Sequence, residues 1–334
     1  MMLKRVLLTG ASGTIGKEVL NLLWDKRGNY EISVLLRKSK KNERIIKPFR
    51  DDITIIWGNI LNYDEVQKAV EGKEIIFHIA ALLPDIALIN PDLVYTTNIE
   101  GTQNIIKAMR TQTNNPKIIY PSSVAVYGER RANPIIRISD PIQNEENDVY
   151  TETKIEAENI IRNSGLDYII FRVSYVVSTD MIKFRPIMFH MPLDTPVEMI
   201  HAKDVATAMV NAIARNDLWN NTYNLGGGQS CQIMLRDNLN DMFEIMGFGR
   251  NFLPDSAFTK SSFHCGFYDL SETKNLDKLI KFQNHNLKDF YDELKQWIGI
   301  KRFLIPLVRP ILRKFILRKS EFYKKVSLKD KFNK

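Results

Sequence analysis

The sequence predicts an α/β fold in which a doubly wound parallel sheet is followed by a small C-terminal lobe. Two observations predict it. Short apolar runs alternate with amphipathic helical stretches up to residue 172, and a glycine-rich turn follows the first run. The predicted strands are residues 3–9, 31–36, 53–57, 74–80, 117–120 and 166–172. The predicted helices are residues 15–27, 62–71, 98–113, 149–163 and 202–215.

Each element follows from its local pattern. Residues 3–9 (LKRVLLT) are short, mostly apolar and bounded by glycine, as in a strand that is buried on both faces. The later strands alternate with helical stretches, and right-handed crossovers place such helices on both faces of the sheet. Residues 202–215 (AKDVATAMVNAIAR) form a clear helix, whereas 173–199 carry Pro186 and Pro192 and predict a loop-rich segment.

Length and composition exclude several classes of protein. The chain has 334 residues, of which 44% are hydrophobic and 26% are charged, so it is neither disordered nor collagen-like. Its two cysteines cannot form a disulfide framework, and its five histidines are not clustered, so we expect no metal site. The low cysteine content leads us to expect a reducing, cytoplasmic setting. We expect no signal peptide, because residues 1–10 lack a long apolar stretch, and no membrane span, because no apolar run approaches roughly 18 residues.

The positive charge is concentrated at the C-terminus. The chain has 47 basic and 39 acidic side chains and a net charge of +8. Residues 301–334 contain 12 Lys/Arg and 2 Asp/Glu, a net charge of +10, which leaves −2 on the other 300 residues. We therefore expect no nucleic-acid partner for the globular part.

The glycine-rich turn predicts a dinucleotide site. Residues 9–16 (TGASGTIG) follow the first strand and open the first helix. Glycines permit a tight turn and a close backbone approach, and the helix N-terminus offers free N–H groups to a pyrophosphate. An ordinary strand-to-helix turn is the alternative. The predicted contacts are Gly10, Ser12, Gly13, Thr14, Ile15 and Gly16.

The end of the second strand predicts a preference for NADP over NAD. An acidic side chain there favours a free ribose hydroxyl, whereas a basic one accommodates a 2′-phosphate. This strand ends in Arg37 and Lys38, without Asp or Glu. The alternative is a solvated basic loop that also includes Lys40 and Lys41. Asn59 and the adjacent Ile60, after the third strand, are predicted to lie near the adenine.

A tyrosine and a lysine four residues apart suggest the reacting groups. Tyr150 and Lys154 lie on one face at the start of a predicted helix. The pKa of a free phenol is near 10, and a nearby ammonium favours the phenolate and brings that pKa closer to neutral pH. Ser123, at the end of the fifth strand, can donate a hydrogen bond to a reacting oxygen.

With these motifs, the chain resembles an extended short-chain dehydrogenase/reductase of the NAD-dependent epimerase/dehydratase family. Over residues 3–297, five segments match in order: the glycine turn, FHIAA at 77–81, NIEGT at 98–102, SSVAVYG at 122–128 and YTETK at 150–154. The resemblance implies that Ser123 orients the substrate and that Tyr150 is the general acid/base. It implies that Lys154 holds the ribose. It also implies that Asn98 supports the site, and that the cofactor contacts include Ala80, Ala81, Ser122, Arg172 and Val173. His201 lies in a further segment that resembles the family, and for this residue we favour a structural role, either as a helix cap or in a core hydrogen bond.

The resemblance also implies the domain organisation. Residues 1–172 would form an NAD(P)-binding Rossmann domain, to which 201–228 return. Residues 173–200 and 229–300 would form the substrate-binding lobe, and 301–334 a basic amphipathic tail. A homodimer is possible on the same ground.

Two departures from the family pattern narrow the reaction. Dehydratases of this family carry Asp-Glu after the catalytic hydroxyl residue, whereas Val124 and Ala125 stand here, so we do not expect a dehydratase. The arginine that pairs with a nucleotide pyrophosphate in family epimerases is replaced near Val197. Lys183, Arg185 and Lys260 are alternative sources of positive charge.

The tail predicts a basic amphipathic helix. Val308, Ile311, Leu312, Phe315, Phe322 and Val326 form its apolar stripe, while Pro306 and Pro310 are expected to break any earlier helix. Residues 301–326 would either bind an anionic membrane surface, which suits a lipid-like or lipid-linked substrate, or pack on the body.

The sequence therefore predicts an NAD(P)-dependent oxidoreductase that acts on a secondary alcohol or ketone of a sugar nucleotide or a lipid-like substrate. It would be either a reductase or an epimerase. The alternative is a non-catalytic NADP sensor that is recruited to a membrane or partner by its tail.

Overall fold

The computed structural model describes residues 3–144, 148–261 and 263–325. Its strands are β1 (Lys4–Thr9), β2 (Tyr30–Leu36), β3 (Thr54–Trp57), β4 (Ile75–His78), β5 (Lys117–Ser123), β6 (Ile135–Ile136), β7 (Tyr168–Val173), β8 (Tyr175–Val177), β9 (Pro196–His201), β10 (Asn221–Leu225), β11 (Gln232–Met234) and β12 (Phe267–Tyr268). Its α-helices are α1 (Thr14–Asp25), α2 (Lys40–Ile46), α3 (Tyr63–Val70), α4 (Pro84–Ala87), α5 (Pro91–Tyr95), α6 (Gly101–Arg110), α7 (Val149–Arg162), α8 (Ala202–Ala212), α9 (Leu235–Ile245), α10 (Leu270–Ile280), α11 (Leu287–Ile298) and α12 (Lys301–Leu317).

The predicted doubly wound parallel sheet is confirmed. Seven parallel strands lie in the order β10-β7-β5-β4-β1-β2-β3. The order reverses between β1 and β4, where Thr9 is paired with His78. Ligands of such sheets bind in the crevice outside the carboxyl ends of the strands at this reversal. The glycine turn opens at this point.

Both faces of the sheet are covered because the strand residues are apolar on both sides. Val6 and Leu8 of β1 pack with α1, α8 and α10, whereas Leu7 packs with α3, α6 and α7. Alternate residues of a strand point to opposite faces, so β1 contributes to two cores. The sixth predicted strand, β7, gains an unpredicted neighbour in β10, which follows α8 and extends the sheet.

The predicted helix at 98–113 has a different start. A π-helical turn at Thr96–Glu100 precedes α6 and connects it to α5, so helical structure begins at Pro91. A Cβ atom on Gly101, the first residue of α6, would lie 2.6 Å from Cδ1 of Ile60. The lack of a side chain at Gly101 therefore lets α6 approach the loop after β3.

A second core lies in the C-terminal lobe. Strands β8, β9 and β11 form a small sheet in which β9 is parallel to β8 and antiparallel to β11. This lobe buries side chains from α9, α11 and α12 together with an aromatic cluster that includes Phe243, Phe248 and Phe252.

The expectation that Pro306 and Pro310 break the tail helix is wrong. Both prolines lie inside α12, which begins at Lys301. Both are exposed and four residues apart, so they occupy one side of the helix, while Ile305, Leu312 and Ile316 pack on the lobe. This packing stabilises the helix despite the hydrogen bonds lost at the prolines. Of the predicted apolar stripe, Leu312 and Phe322 pack on the lobe, and Val326 lies outside the described residues.

A buried ion pair joins α7 to the sheet. Nε and Nη2 of Arg172, in β7, donate to the two carboxylate oxygens of Glu158 in α7 at 3.0 and 2.8 Å. The Arg172 side chain is 4% exposed and that of Glu158 is fully buried. Nη1 of Arg172 also donates to the hydroxyl of Tyr127 at 2.8 Å. The two-pronged geometry fixes the orientation of both partners.

We predict that Glu158→Ala lowers the free energy of unfolding by about 3–5 kcal/mol, because it leaves a buried guanidinium without its partner. Urea unfolding followed by circular dichroism measures this change. Glu156→Ala, on the exposed side of the same helix, is the matched control and should change stability by less than about 0.5 kcal/mol. Equal effects of the two variants would contradict a structural role for the pair.

Candidate active site

The glycine turn is closely packed against the end of β4. Gly10 has a φ of +75°, and a Cβ atom there would lie 2.6 Å from the amide nitrogen of Ala80. A Cβ atom on Gly16 would lie 2.0 Å from the carbonyl oxygen of Gly10. Gly13 precedes α1, and no side chain caps the first turn of this helix. The first amides of α1, from Thr14 onward, therefore offer hydrogen-bond donors to an anion.

A buried polar cluster fixes this turn to its neighbours, and sequence reasoning missed it. The hydroxyl oxygen of Thr9 accepts hydrogen bonds from the amides of Ile79 and Ala80 at 3.1 and 3.2 Å. It also lies 3.0 Å from Nδ1 of His78, whose Nε2 is 3.0 Å from the hydroxyl of Thr102. Burial, with a smaller effect of the Lys154 charge, lowers the pKa of His78 to about 3. His78 is therefore neutral and structural. The sequence feature that could have indicated this cluster is the position of Thr9 and His78 near the carboxyl ends of two predicted strands.

The structure brings Ser123 and Tyr150 together. Ser123 ends β5, and Tyr150 lies in the first turn of α7, only 7% exposed. Burial raises the pKa of Tyr150 to about 12, although its hydrogen bond with Ser123 opposes this rise. The decrease of this pKa that Lys154 was expected to cause is not found, and burial is the largest effect on the phenol. Tyr150 therefore retains its proton at neutral pH in the protein without ligands.

Lys154 is held by the polypeptide between β5 and α7. Its Nζ atom donates to the hydroxyl of Tyr120 at 3.1 Å and to the carbonyl oxygen of Pro121 at 2.9 Å, and it lies 5.9 Å from the ring centre of Tyr150. Burial lowers the pKa of Lys154 to about 8, although the Glu158 charge acts in the opposite direction. The ammonium is thus poised to lose its proton in mildly alkaline solution. Tyr120 is a further residue that the sequence analysis did not single out.

Asn98 positions other groups rather than reaching toward a substrate. Its Oδ1 atom accepts from the amide of Leu82 at 2.7 Å. Its Nδ2 atom donates to the carbonyl oxygen of Leu82 at 3.2 Å and to the hydroxyl of Thr153 at 3.1 Å. Asn98 therefore links the loop after β4 to the helix that carries Tyr150 and Lys154.

The C-terminal lobe brings a histidine next to Tyr150. Asp148 caps α7 by accepting from the amide of Thr151 at 3.0 Å, and its other carboxylate oxygen lies 2.8 Å from Nδ1 of His264. The ring centres of His264 and Tyr150 are 6.4 Å apart. Burial would raise the pKa of the Asp148 carboxyl, but its bonds with His264 and Thr151 outweigh this effect and lower it. His264 is distant in sequence, so only the fold reveals this neighbour.

The predicted adenosine contacts lie in different environments. Arg37 and Lys38 are exposed directly after β2, and the carbonyl oxygen of Arg37 accepts from Nδ2 of Asn42 in α2. Asn59 is exposed, and its Oδ1 atom accepts from the amide of Leu61 in the turn before α3. Ile60 is buried under Gly101. The side chains of Arg37 and Lys38 thus remain available at the sheet edge, whereas Ile60 serves the core.

The other predicted contacts surround the crevice. The buried hydroxyl of Ser122 has no hydrogen-bond partner within the described part of the chain, at the carboxyl end of β5. Val173 ends β7 beside Ser123, while Ala80 and Ala81 follow β4 and are half-buried. Arg172 instead points to Glu158 and Tyr127. A partnerless hydroxyl, free helix amides and the closely packed glycines together fit a dinucleotide.

His201 has a structural role at the start of α8. His201 caps α8, because its Nδ1 atom accepts from the amide of Lys203 at 3.2 Å, and its Nε2 atom lies 3.0 Å from Glu293. Cys231 and Cys265 are buried free thiols. Among the described residues, no group of three or more His, Cys, Asp or Glu side chains could hold a metal ion.

The lowered pKa of Lys154 predicts a pH-dependent stability. The folded chain releases this proton near pH 8, whereas an unfolded lysine retains it to about pH 10.4, so the free energy of unfolding rises with pH above 8. We expect a contribution of up to about 1.4 kcal/mol per pH unit, measured by urea unfolding between about pH 8 and pH 9.5. Lys154→Met should remove it, whereas Lys68→Met, at an exposed site, should not. Parallel profiles for all three proteins would rule out the shifted pKa.

Comparison with known proteins agrees with this geometry. Residues 6–226 match the sequence model of the NAD dependent epimerase/dehydratase family. A relative named uncharacterized protein y4nG, from Sinorhizobium fredii, is 28% identical over 241 residues. The match covers 68% of this chain and 57% of the relative, so this chain spans little more than half the length of that protein.

Solved structures show the same fold. The UDP-N-acetylglucosamine 4-epimerase from Methanobrevibacter ruminantium M1, in complex with UDP-N-acetylmuramic acid, is 21% identical with a TM-score of 0.70, covering 91% of this chain and 99% of that one. The dTDP-glucose 4,6-dehydratase from Bacillus anthracis, in complex with NAD, is 17% identical with a TM-score of 0.70, covering 88% and 96%. The family model matches more than half of the sequence, and the protein therefore belongs to the NAD-dependent epimerase/dehydratase family.

Proposed function

We propose that this protein is an oxidoreductase that moves a hydride between a nicotinamide dinucleotide and a secondary alcohol or ketone. The observation that carries the proposal is the meeting of Ser123, Tyr150 and Lys154 at the carboxyl end of β5, on the same side of the sheet as the glycine turn that follows β1. The nicotinamide, when bound, supplies the hydride donor or acceptor. The amides at the start of α1 would bind the pyrophosphate, and Ser122 would offer its unpaired hydroxyl to the cofactor.

The protein's own groups would manage the proton. When a ketone is reduced, the Tyr150 hydroxyl donates its proton to the carbonyl oxygen, and the raised pKa means that this proton is present at neutral pH. Oxidation of an alcohol needs the phenolate form of Tyr150 as the proton acceptor, so Tyr150 would first have to release its own proton in the liganded enzyme. Ser123 donates a hydrogen bond to the same substrate oxygen. Lys154, held by Tyr120 and Pro121, would bind the ribose.

The residues after Ser123 favour a reductase or an epimerase over a dehydratase. Val124 and Ala125 are buried in a 3-10 turn and offer no carboxylate for water elimination. In a reductase the product leaves at a new redox level, whereas in an epimerase the hydride returns to the other face of the substrate. The named epimerase relative binds a UDP-sugar, which supports a sugar nucleotide as substrate. A lipid-like substrate is the second candidate, because the C-terminal tail is basic and exposes apolar side chains.

Identifying the small molecules that the denatured protein releases would distinguish an epimerase from a reductase. An epimerase regenerates its cofactor in each turnover, so tightly held NAD(H), especially with a nucleotide sugar, would favour that reaction. NADP(H), or an empty site that binds NADPH better than NADH, would favour a reductase. Mass spectrometry identifies the released compounds.

We predict that Tyr150→Phe lowers turnover by about 10²–10⁴-fold and leaves dinucleotide binding unchanged, because only the proton-transferring hydroxyl is lost. Steady-state kinetics and fluorescence titration measure the two properties. Tyr168→Phe, at the opposite end of β7, is the matched control and should behave as the wild type. Full activity of the Tyr150 variant would refute its role. A chain that binds NADP but turns over no ketone, alcohol or sugar nucleotide would instead fit a non-catalytic sensor.

The exposed basic pair after β2 makes the NADP preference testable. The solved dehydratase from Bacillus anthracis is in complex with NAD, so the NADP preference of this protein stays a prediction. We expect Arg37→Ala to weaken NADPH binding by about tenfold or more and to leave NADH binding unchanged, since a charge-assisted bond to the 2′-phosphate is lost. Lys41→Ala, in α2, is the control. Tighter binding of NADH than of NADPH by the wild type would show that the preference is wrong.

A further inference from the structure

Helix α12 is attached to the lobe by one side only. Ile305, Leu312, Ile316 and Leu317 pack into the core of the lobe. Nε of Arg313 donates to the carbonyl oxygen of Phe252 at 2.8 Å. A Cβ atom on Gly247 would lie 2.1 Å from the carbonyl oxygen of Arg302, so the start of α12 is in close contact with that loop. The attachment orients the helix firmly.

The opposite side of α12 is apolar and exposed. Leu307 is 79% exposed, Ile311 71%, Phe303 66% and Phe315 59%. Together with others at helical spacing they form an outward face, which consists of Ile300, Phe303, Leu304, Leu307, Val308, Ile311 and Phe315. A surface helix normally turns such a face toward the core and exposes polar residues. A contiguous exposed apolar patch of this kind marks an interaction site.

The charge on this helix favours an anionic partner. Residues 301–319 contain seven Lys or Arg and no Asp or Glu. Lys301, Lys314 and Arg318 are exposed beside the outward face. A second copy of the chain would bring two such basic helices together, which like-charge repulsion disfavours. An anionic lipid surface accepts the apolar side chains and attracts the basic ones.

We propose that the outward face of α12 docks on an anionic membrane surface. In the described part of the chain, no helix is both long enough and apolar enough to cross a bilayer. The helix would therefore lie in the interface, with Leu307 and Ile311 among the acyl chains and Lys314 and Arg318 at the headgroups. This docking does not depend on the proposed reaction.

Contacts from the tail lead toward the candidate active site. Nζ of Lys319, just after α12, donates to the carbonyl oxygen of Phe184 at 2.8 Å. The adjacent Arg185 is paired with Asp85 in α4, which follows β4 and its cofactor-contact loop. In the same segment, Asp180 is paired with Lys17, in the second turn of α1. The segment 180–185 thus connects the docking helix with the dinucleotide crevice, so a docked enzyme would hold this segment near the lipid surface.

The test is co-sedimentation of the full chain with vesicles of phosphatidylcholine and phosphatidylglycerol, against vesicles of phosphatidylcholine alone. We expect binding to the anionic vesicles only, and weaker binding at high salt. A face variant, Leu307→Ser with Ile311→Ser and Phe315→Ser, should bind at least tenfold more weakly. A charge variant, Lys301→Gln with Lys314→Gln and Arg318→Gln, should lose roughly tenfold or more.

The control variant carries Leu3→Ser, Ile142→Ser and Leu279→Ser, three exposed apolar residues outside the tail, and should bind as the wild type. Circular dichroism and dinucleotide titration show that each variant folds. Unchanged vesicle binding of the face variant would overturn the proposal. The proposal would also be overturned if the wild-type chain does not bind vesicles but forms a dimer in sedimentation equilibrium that the face variant does not form. The outward face would then bind a second copy of the chain.

Discussion

The ion pair between Arg172 and Glu158 is the interaction on which the placement of Tyr150 and Lys154 depends. It joins the end of β7 to the middle of α7, one turn beyond Lys154 and two turns beyond Tyr150. Breaking such a pair leaves a buried charge, which costs far more than an exposed pair contributes. The helix that carries Tyr150 and Lys154 is thus fixed to β7.

Burial is the largest influence on the protonation of Tyr150 and Lys154. An ammonium near a phenol favours the phenolate in water, but here desolvation of both groups is stronger. It raises the pKa of Tyr150 to about 12 and lowers that of Lys154 to about 8. The Lys154 ammonium donates hydrogen bonds to the Tyr120 hydroxyl and the Pro121 carbonyl oxygen. The unliganded protein therefore presents a protonated phenol, and a change of charge in the crevice would alter both equilibria.

The C-terminal lobe contributes a side chain to the surroundings of Tyr150. His264 reaches the cap of α7 through Asp148, so the lobe and the sheet share the residues around Tyr150. The lobe also carries α12, which packs through Leu312 and Ile316 and exposes a second apolar side. One helix thereby stabilises the lobe and leaves an apolar face exposed.

The sequence by itself determined the succession of the first six large-sheet strands along the chain, the glycine turn and the spacing of Tyr150 and Lys154. These are local properties, because strand and helix periods and turn glycines act over a few residues. Only the tertiary structure decided which distant groups meet. It joined His264 to Asp148, Thr9 to His78, and Arg172 to Glu158. It also decided the orientation of α12, because a helix with apolar residues on two sides does not reveal in sequence which side the core will bury. Packing of the side that carries Leu312 and Ile316 outweighed the helix-breaking tendency of Pro306 and Pro310.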